Sequence, residues 1–300
     1  MNVAVDGRVV ELSSTDRVLW PDIGLTKLDL VRYIAETSDV LVRHVRNHPL
    51  TLHRFPEGIH GPHFFQTRAP AHPPWVRTVT LRTPKAGKVF DVIVLDDTAS
   101  LVWAANISAI ELHPYLGFAD DFDRPWCALF DLDPGAPADL TTCCDVALVL
   151  RDVLDALGLR SWVKVSGGKG LHVHVPVDRS VGFPATKLFA RAVAEHLAET
   201  MPDLVLTTMT RARRPGKVFI DWSQNDPWKS AIAPYSLRGL PVPTVAAPVT
   251  WDEIESAASA RDAGALRFKW CDVPARVHTH GDLFADVYDT PQLLPPGPVT

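Results

Sequence analysis

The chain has 300 residues, 46% of them hydrophobic and 22% charged, with a net charge of -5; this is an ordinary globular balance with ample material for a core. A negative chain is not built to coat nucleic acid indiscriminately, although a local basic groove stays open to it. Met1 to Leu12 lacks a basic stretch followed by an apolar one, no apolar run approaches the ~18 residues of a membrane span, and the scattered cysteines form no CxxC pair, so a reduced, cytoplasmic protein with no membrane partner, disulfide framework or cysteine zinc site is expected.

Lys27 to Arg46 carries Leu28, Val31, Ile34, Val40 and Val45 among polar residues and predicts a helix, with Thr26 as its N-cap. Leu50 to Phe55 and His63 to Gln66 flank a turn at Glu57-Gly58 and read as a hairpin. Pro70 to Pro74 is a loop, and Ala99 to Ala109 predicts a mostly buried helix. Pro125 to Asp133 alternates Trp126, Ala128, Phe130 and Leu132 against Cys127, Leu129, Asp131 and Asp133, the signature of a strand. Leu140 to Leu157 is an amphipathic helix closed by Gly158. Ser161 to Ser166 and Leu171 to Val177 bracket Gly167-Gly168-Lys169-Gly170 as a tight glycine hairpin. Pro184 to Thr200 is a helix with proline in its first turn, and Lys217 to Trp222 is a second alternating strand. Thr250 and Glu253 form a capping box for a short late helix, and Pro291 to Thr300 reads as a mobile end or extended arm. There is no internal repeat. The fold class expected is α+β (mixed α/β) with largely antiparallel sheets.

In Phe130-Asp131-Leu132-Asp133-Pro134 the period of two puts both carboxylates on one strand face, with Cα atoms roughly 6.6 Å apart. Two carboxylates so spaced can bridge divalent ions about 3.5–4 Å apart. Pro134 ends the strand and fixes the pair at a sheet end. Asp221 closes the apolar run Val218-Phe219-Ile220, where an uncompensated carboxylate is costly unless a cation or strong donor faces it. The plain alternative is an acidic turn with no metal.

The loop Ser166-Gly167-Gly168-Lys169-Gly170 lets backbone amides approach phosphate oxygens, and Lys169 adds a point charge. It is not a Walker A loop, since a strand follows it. His172 and His174 share a strand face, which is also a pattern of metal sites; a glycine turn followed by two packed histidines is the alternative. The basic run Arg211, Arg213, Arg214 and Lys217 leads into the strand of Asp221 and reads either as a solvated loop or as a DNA contact. Two rival functions fit these features: a metal-dependent phosphoesterase or nuclease using His172 and His174, and a non-catalytic nucleic-acid-binding module.

Taken together, these segments resemble the polymerase domain of bacterial ligase D, the primase-like module of non-homologous end joining. The resemblance runs from Val18-Leu19-Trp20-Pro21 to about residue 289. It rests on Gly24-Leu25-Thr26-Lys27, Arg54-Phe55-Pro56-Glu57-Gly58, Phe64-Phe65-Gln66, Glu111-Leu112-His113-Pro114, Asp131-Leu132-Asp133-Pro134, Ser166 to His172, Asp221-Trp222-Ser223-Gln224-Asn225 and Ala233 to Gly239. It implies a two-part primase-polymerase core over residues 1–290, with a mixed N-terminal subdomain over about 1–120. A recognition-motif-like antiparallel sheet over about 121–290 would carry the acidic site.

The resemblance implies that Asp131, Asp133 and Asp221 hold two manganese or magnesium ions. Ser166, Lys169, His172, His113, Gln224 and Arg238 would contact the incoming NTP or dNTP. Arg17, Lys27, Arg54 and Arg214 would contact DNA phosphates, Lys27 a downstream 5′-phosphate, and Phe64 and Phe65 would stack on template bases. The partners implied are primer–template or gapped DNA, a Ku-like protein and a separate ligase. No KxDG nucleotidyl-lysine motif is present, so a stand-alone relative or an excised domain is expected; the zinc knuckle of replicative primases is also missing.

Overall fold

The computed structural model describes residues 1–83 and 87–295. Its elements in chain order are β1 (Asn2–Val5), β2 (Arg8–Glu11), β3 (Val18–Trp20), β4 (Leu25–Thr26), α1 (Lys27–Leu41), β5 (Pro49–Arg54), β6 (Phe64–Gln66), β7 (Arg77–Arg82), β8 (Val89–Val94), α2 (Thr98–Asn106), β9 (Ala109–Pro114), β10 (Gly117–Phe118), β11 (Asp121–Pro125), β12 (Cys127–Pro134), α3 (Leu140–Ala156), β13 (Trp162–Val165), β14 (Leu171–Pro176), α4 (Phe183–Thr200), β15 (Val205–Leu206), β16 (Val218–Asp221), β17 (Pro248–Val249), α5 (Trp251–Ala260) and α6 (Val273–His280). They form two compact units. Residues 1–120, 230–246 and 269–281 make the first; residues 121–229, 247–268 and those from Asp282 onward make the second. The chain thus returns twice to the first unit, which a single linear division near residue 120 does not express.

In the first unit an antiparallel sheet runs β6-β5-β8-β7, with β9 also paired to β5. Thr26 caps α1 through a capping box with Asp29, as its hydroxyl and short side chain allow. The helix is shorter than its apolar pattern suggests: it ends at Leu41 and passes into a 3-10 turn over Val42–His44, where β-branched Val42 and Val45 weaken continuation. Helix α2 also stops early. Ser108 adopts a left-handed φ of 60°, and Ala109 already belongs to β9. The expected helix over 99–109 thus loses its last three residues, of which Ala109 opens the strand.

In the second unit six strands run β15-β16-β12-β14-β13-β17, all antiparallel neighbours except the parallel pair β15 and β16. Helices α3 and α4 pack against β12. Phe130 meets Phe189 of α4, and the Leu132 carbonyl accepts from the Cys143 thiol of α3, so the even residues of β12 form the core face. Asp131 and Asp133 fall on the opposite face, as their period of two requires. Gly158 takes φ 75° just beyond α3, and Thr250 with Glu253 caps α5 by a capping box. In the proline-rich end, Gln292 pairs with Val177 and binds the Arg160 backbone through both amide atoms, while residues 296–300 lie outside the described residues.

One side chain replaces a strand. Strand β16 stops at Asp221, leaving the outer edge of Leu129 without a ladder partner. The amide of fully buried Asn225 fills the gap, accepting from Leu129 N–H at 2.8 Å and donating to its carbonyl at 2.7 Å. Asn225→Ala leaves both backbone groups buried and unpaired, so urea unfolding should show a loss of about 3 kcal/mol. An unchanged midpoint would mean that water takes over the amide's role.

Candidate active site

Register brings the acidic residues together. Asp131 at the middle of β12 lies directly opposite Asp221 on β16 and directly opposite His172 on β14, and His172 lies opposite Lys164 on β13. Lys164, His172, Asp131 and Asp221 therefore form one row across four strands, with Asp133 two residues along. His172 Nε2 is 3.4 Å from Asp131 Oδ1. Gln224, in the 3-10 turn after β16, donates its amide to Asp131 Oδ2 at 3.2 Å and to Asp221 Oδ2 at 3.4 Å. Asp221 also accepts from Ser223 N–H at 3.0 Å, and Lys229 Nζ stands 3.8 Å away. Lys164, which is fully buried, and the half-buried Lys229 were not picked out from the sequence: one reads as a polar interruption of a strand, the other lies in a short loop.

These cationic and amide neighbours do not balance the carboxylates. Burial first, then the charges of Asp133 and Asp221, push the Asp131 carboxyl up to about 7, against the smaller opposing pulls of Lys164 and Gln224. Three carboxylates fanned across two adjacent strands are hard oxygen donors, the set that suits magnesium or manganese. A divalent cation would remove the repulsion that raises Asp131, so the residues fit such ions. Among the described residues, only His53, Glu111 and His113 bring three ligand atoms within 4.8 Å of one another. The aspartates are set wider, which a pair of ions about 3.5–4 Å apart accommodates.

The glycine hairpin lies beside this row. A Cβ on Gly170 would fall 2.1 Å from the Leu132 carbonyl oxygen, so only glycine allows the loop to close on β12. Gly168 and Gly170 N–H both donate to Ser166 Oγ, at 3.3 and 3.2 Å. These two amides serve the loop itself. Lys169 is exposed, with Nζ 3.1 Å from the Pro134 carbonyl. His174 sits one step down the strand among rings: it stacks on Trp126 at 5.6 Å and meets Phe284 edge-on at 5.5 Å.

The first unit holds a second polar cluster. Glu111 Oε2 lies 2.8 Å from His113 Nε2, 3.2 Å from His53 Nδ1 and 3.4 Å from Arg238 Nη1. Phe64 and Phe65 on β6 are both exposed, and Phe65 stacks on His53 at 4.0 Å. Arg54 Nε donates to the Ile107 carbonyl at 3.0 Å and its guanidinium lies over Phe64. Lys27, expected to meet a downstream 5′-phosphate, is the first residue of α1. It is buried, its Nζ donates to the Asn106 carbonyl at 3.0 Å, and burial first, then Arg17, lowers its pKa. The chain entering α1 folds over it, because its own N–H pairs with the Arg17 carbonyl. In the basic run, Arg211 and Arg213 are exposed, whereas the Arg214 guanidinium lies 3.9 Å from the centre of the Phe219 ring. No helix among the described residues is long and apolar enough to cross a membrane.

Comparison with known proteins gives concordant matches. The sequence model of the LigD primase-polymerase domain matches residues 26–284. The chain is 38% identical over 283 residues to the multifunctional non-homologous end joining DNA repair protein LigD of Mycobacterium tuberculosis, covering 91% of this chain and 36% of that protein. It is 30% identical to the bifunctional non-homologous end joining protein LigD of Bacillus subtilis, covering 94% of this chain and 45% of that protein. It thus spans less than half the length of either. The polymerase domain from Mycobacterium tuberculosis ligase D, solved in complex with DNA, superimposes with a TM-score of 0.87 at 34% identity, over 94% of this chain and 99% of that one.

Proposed function

The chain belongs to the LigD primase-polymerase family, a family of nucleotidyltransferases, and on that premise we propose that it is a template-dependent DNA repair polymerase. It would add nucleotides, ribonucleotides in preference, to a primer 3′ end at gaps or broken ends. The observation that carries the reading is the face-to-face placement of Asp131 and Asp221 with Asp133 beside them. Asp131, Asp133 and Asp221 would hold two manganese or magnesium ions. When bound, such ions lower the pKa of a 3′-hydroxyl and neutralise the triphosphate. Gln224 keeps the Asp131 and Asp221 carboxylates in register, and Lys169 and Arg238 would take phosphate oxygens, one as a point charge and one as a fork. Ser166 would donate its hydroxyl proton to the nucleotide, and His172, His113 and Arg238 are further proposed contacts. A phosphoesterase using His172 and His174 together is disfavoured, because His174 is packed between Trp126 and Phe284. A purely binding module is disfavoured too, since the carboxylate row repels phosphate without a cation.

The decisive experiment extends a labelled primer–template with each NTP and dNTP, with manganese or magnesium. No extension under any condition, or faster use of dNTPs than NTPs, would overturn the activity or the sugar preference respectively. Lys169→Ala and Arg238→Ala should each raise the KM for nucleotide about tenfold, the scale of one charge-assisted contact, with DNA affinity little changed. Lost DNA binding with unchanged nucleotide dependence would reverse the assignment.

The DNA partner would be a gapped or primer–template duplex whose downstream 5′-phosphate meets Arg17, with Lys27 behind it. Phe64 and Phe65 would stack on the template, with Arg54 alongside, and Arg214 would contact a DNA phosphate. Filling a gap should be faster with the 5′-phosphate present, and Arg17→Ala should erase most of that difference; equal wild-type rates on both substrates would exclude the phosphate pocket. A cytoplasmic location, a Ku-like partner and a ligase activity acting on the same ends complete the proposal.

A further inference from the structure

We propose that Glu111 is a positioning residue, whose carboxylate fixes the His113 ring and the Arg238 guanidinium in the orientation in which they meet an incoming nucleoside triphosphate. This rests on the reading of His113 and Arg238 as nucleotide contacts. Glu111 itself reaches no ligand: it is 4% exposed and lies on β9 directly opposite His53 of β5. Its two oxygens are fully committed. Oε2 faces His113 Nε2, His53 Nδ1 and Arg238 Nη1, and Oε1 accepts from Gly239 N–H at 2.9 Å. The last contact requires glycine, since a Cβ at position 239 would lie 2.2 Å from the Phe55 ring. One carboxylate thus ties β9 to the segment after Tyr235.

The charge state follows. Burial alone would raise the Glu111 pKa, but hydrogen bonds from His113 and His53 and the Arg238 charge hold it well below the usual carboxylate range. Burial lowers the His113 pKa, and Glu111 offsets this only in part. A carboxylate has no proton to give, so the neutral His113 ring carries its proton on Nε2 and presents Nδ1 as an acceptor. An acceptor suits a sugar hydroxyl and not a phosphate oxygen; the phosphates fall to Arg238. The same histidines and glutamate could in principle take a transition metal. Arg238, however, already stands 3.4 Å from the oxygen a metal would need, and its guanidinium would have to be displaced.

The test uses the full chain. Glu111→Gln keeps the size but turns one oxygen into an NH2 that faces existing donors. It should raise the KM for UTP by about tenfold to a hundredfold, the range for losing an outer partner that orients a contact group, with kcat and DNA affinity changed much less. In the His113→Ala background the same change should add less than in the wild type. Where Glu111→Gln does not fold, a long-range nitrogen–proton NMR spectrum of the wild type, with His113 assigned through H113A, decides the matter. It should show the Nε2–H form in the nucleotide-free protein. An Nδ1–H ring, an unchanged KM, additive effects, or stoichiometric zinc lost only on mutating Glu111 would each overturn the proposal. Absence of incorporation by the wild type would instead count against the polymerase reading, and the NMR result would still judge the ring.

Discussion

Asp131→Asn is expected to reduce primer extension by about a thousandfold, as for loss of a central charge-stabilising group, while making the metal-free protein melt at a higher temperature above neutral pH. The two effects share one cause. Asp131 is pushed up to about 7 by burial and by Asp133 and Asp221, so the folded state holds this proton more tightly than the unfolded chain. As pH rises from about 4 to 7 the unfolded state ionises first, and the folded state loses stability across that window. Above pH 7 the penalty is complete, and asparagine removes it. Melting in chelator should therefore favour the variant at pH 8 and show little difference at pH 4. Saturating manganese should reverse the order at pH 8, because only the wild type then gains from binding. A variant that melts lower than the wild type in chelator at pH 8 would show that Asp131 is compensated within the protein, without a cation.

Gly170→Ala should be among the most damaging single methyls in the second unit. Its Cβ would lie 2.1 Å from the Leu132 carbonyl oxygen and 3.2 Å from that carbonyl carbon. The obstacle is the backbone of a central strand, paired on both sides at Leu171 and Ile220, so it cannot yield like a side-chain tip. The loop must move away, carrying Ser166 and Lys169 with it, at a cost of about 3 kcal/mol or more. Gly168→Ala in the same loop provides the control. There the new Cβ meets only Ser166 Oγ at 3.6 Å, and the change should lie within about 1 kcal/mol of wild type, with activity retained. Comparable losses in both would point to loop flexibility, and not close approach, as the reason for glycine.

What the sequence made legible is what depends on short periods. The alternation over 125–133 placed Asp131 and Asp133 on one face, and the glycine run marked the hairpin before His172. Register between distant strands has no such signature, so the facing of Asp131 and Asp221 became visible only with the pairing of β12 and β16. The Glu111 cluster had no local signature: Glu111 and His113 entered through the resemblance alone, and Arg238 reaches Glu111 from 127 positions later, as the residue numbers show. The burial of Lys27 had no signature in the sequence, because a helix start is usually solvated. His174 shared a face with His172, and only the ring environment separates their roles.

The double return of the chain to its first unit bears on how this protein is made. Tyr115 bridges to Ser230, Leu112 receives the Ala233 N–H and gives its own to Ser236 Oγ, and the buried Tyr33 hydroxyl donates to the Tyr235 carbonyl at 2.7 Å. None of these partners exists while a ribosome has made only residues 1–120, and α6 comes later still. At ~10 residues per second, translation from there to residue 281 takes roughly sixteen seconds. During that interval the first half holds its sheet with an unfinished flank, while residues 121–229 emerge with nearly all of their own sheet. Both units thus wait for late parts of the chain, the second for residues 247–268 and those from Asp282 onward, so neither core is sealed before residue 282 has been made.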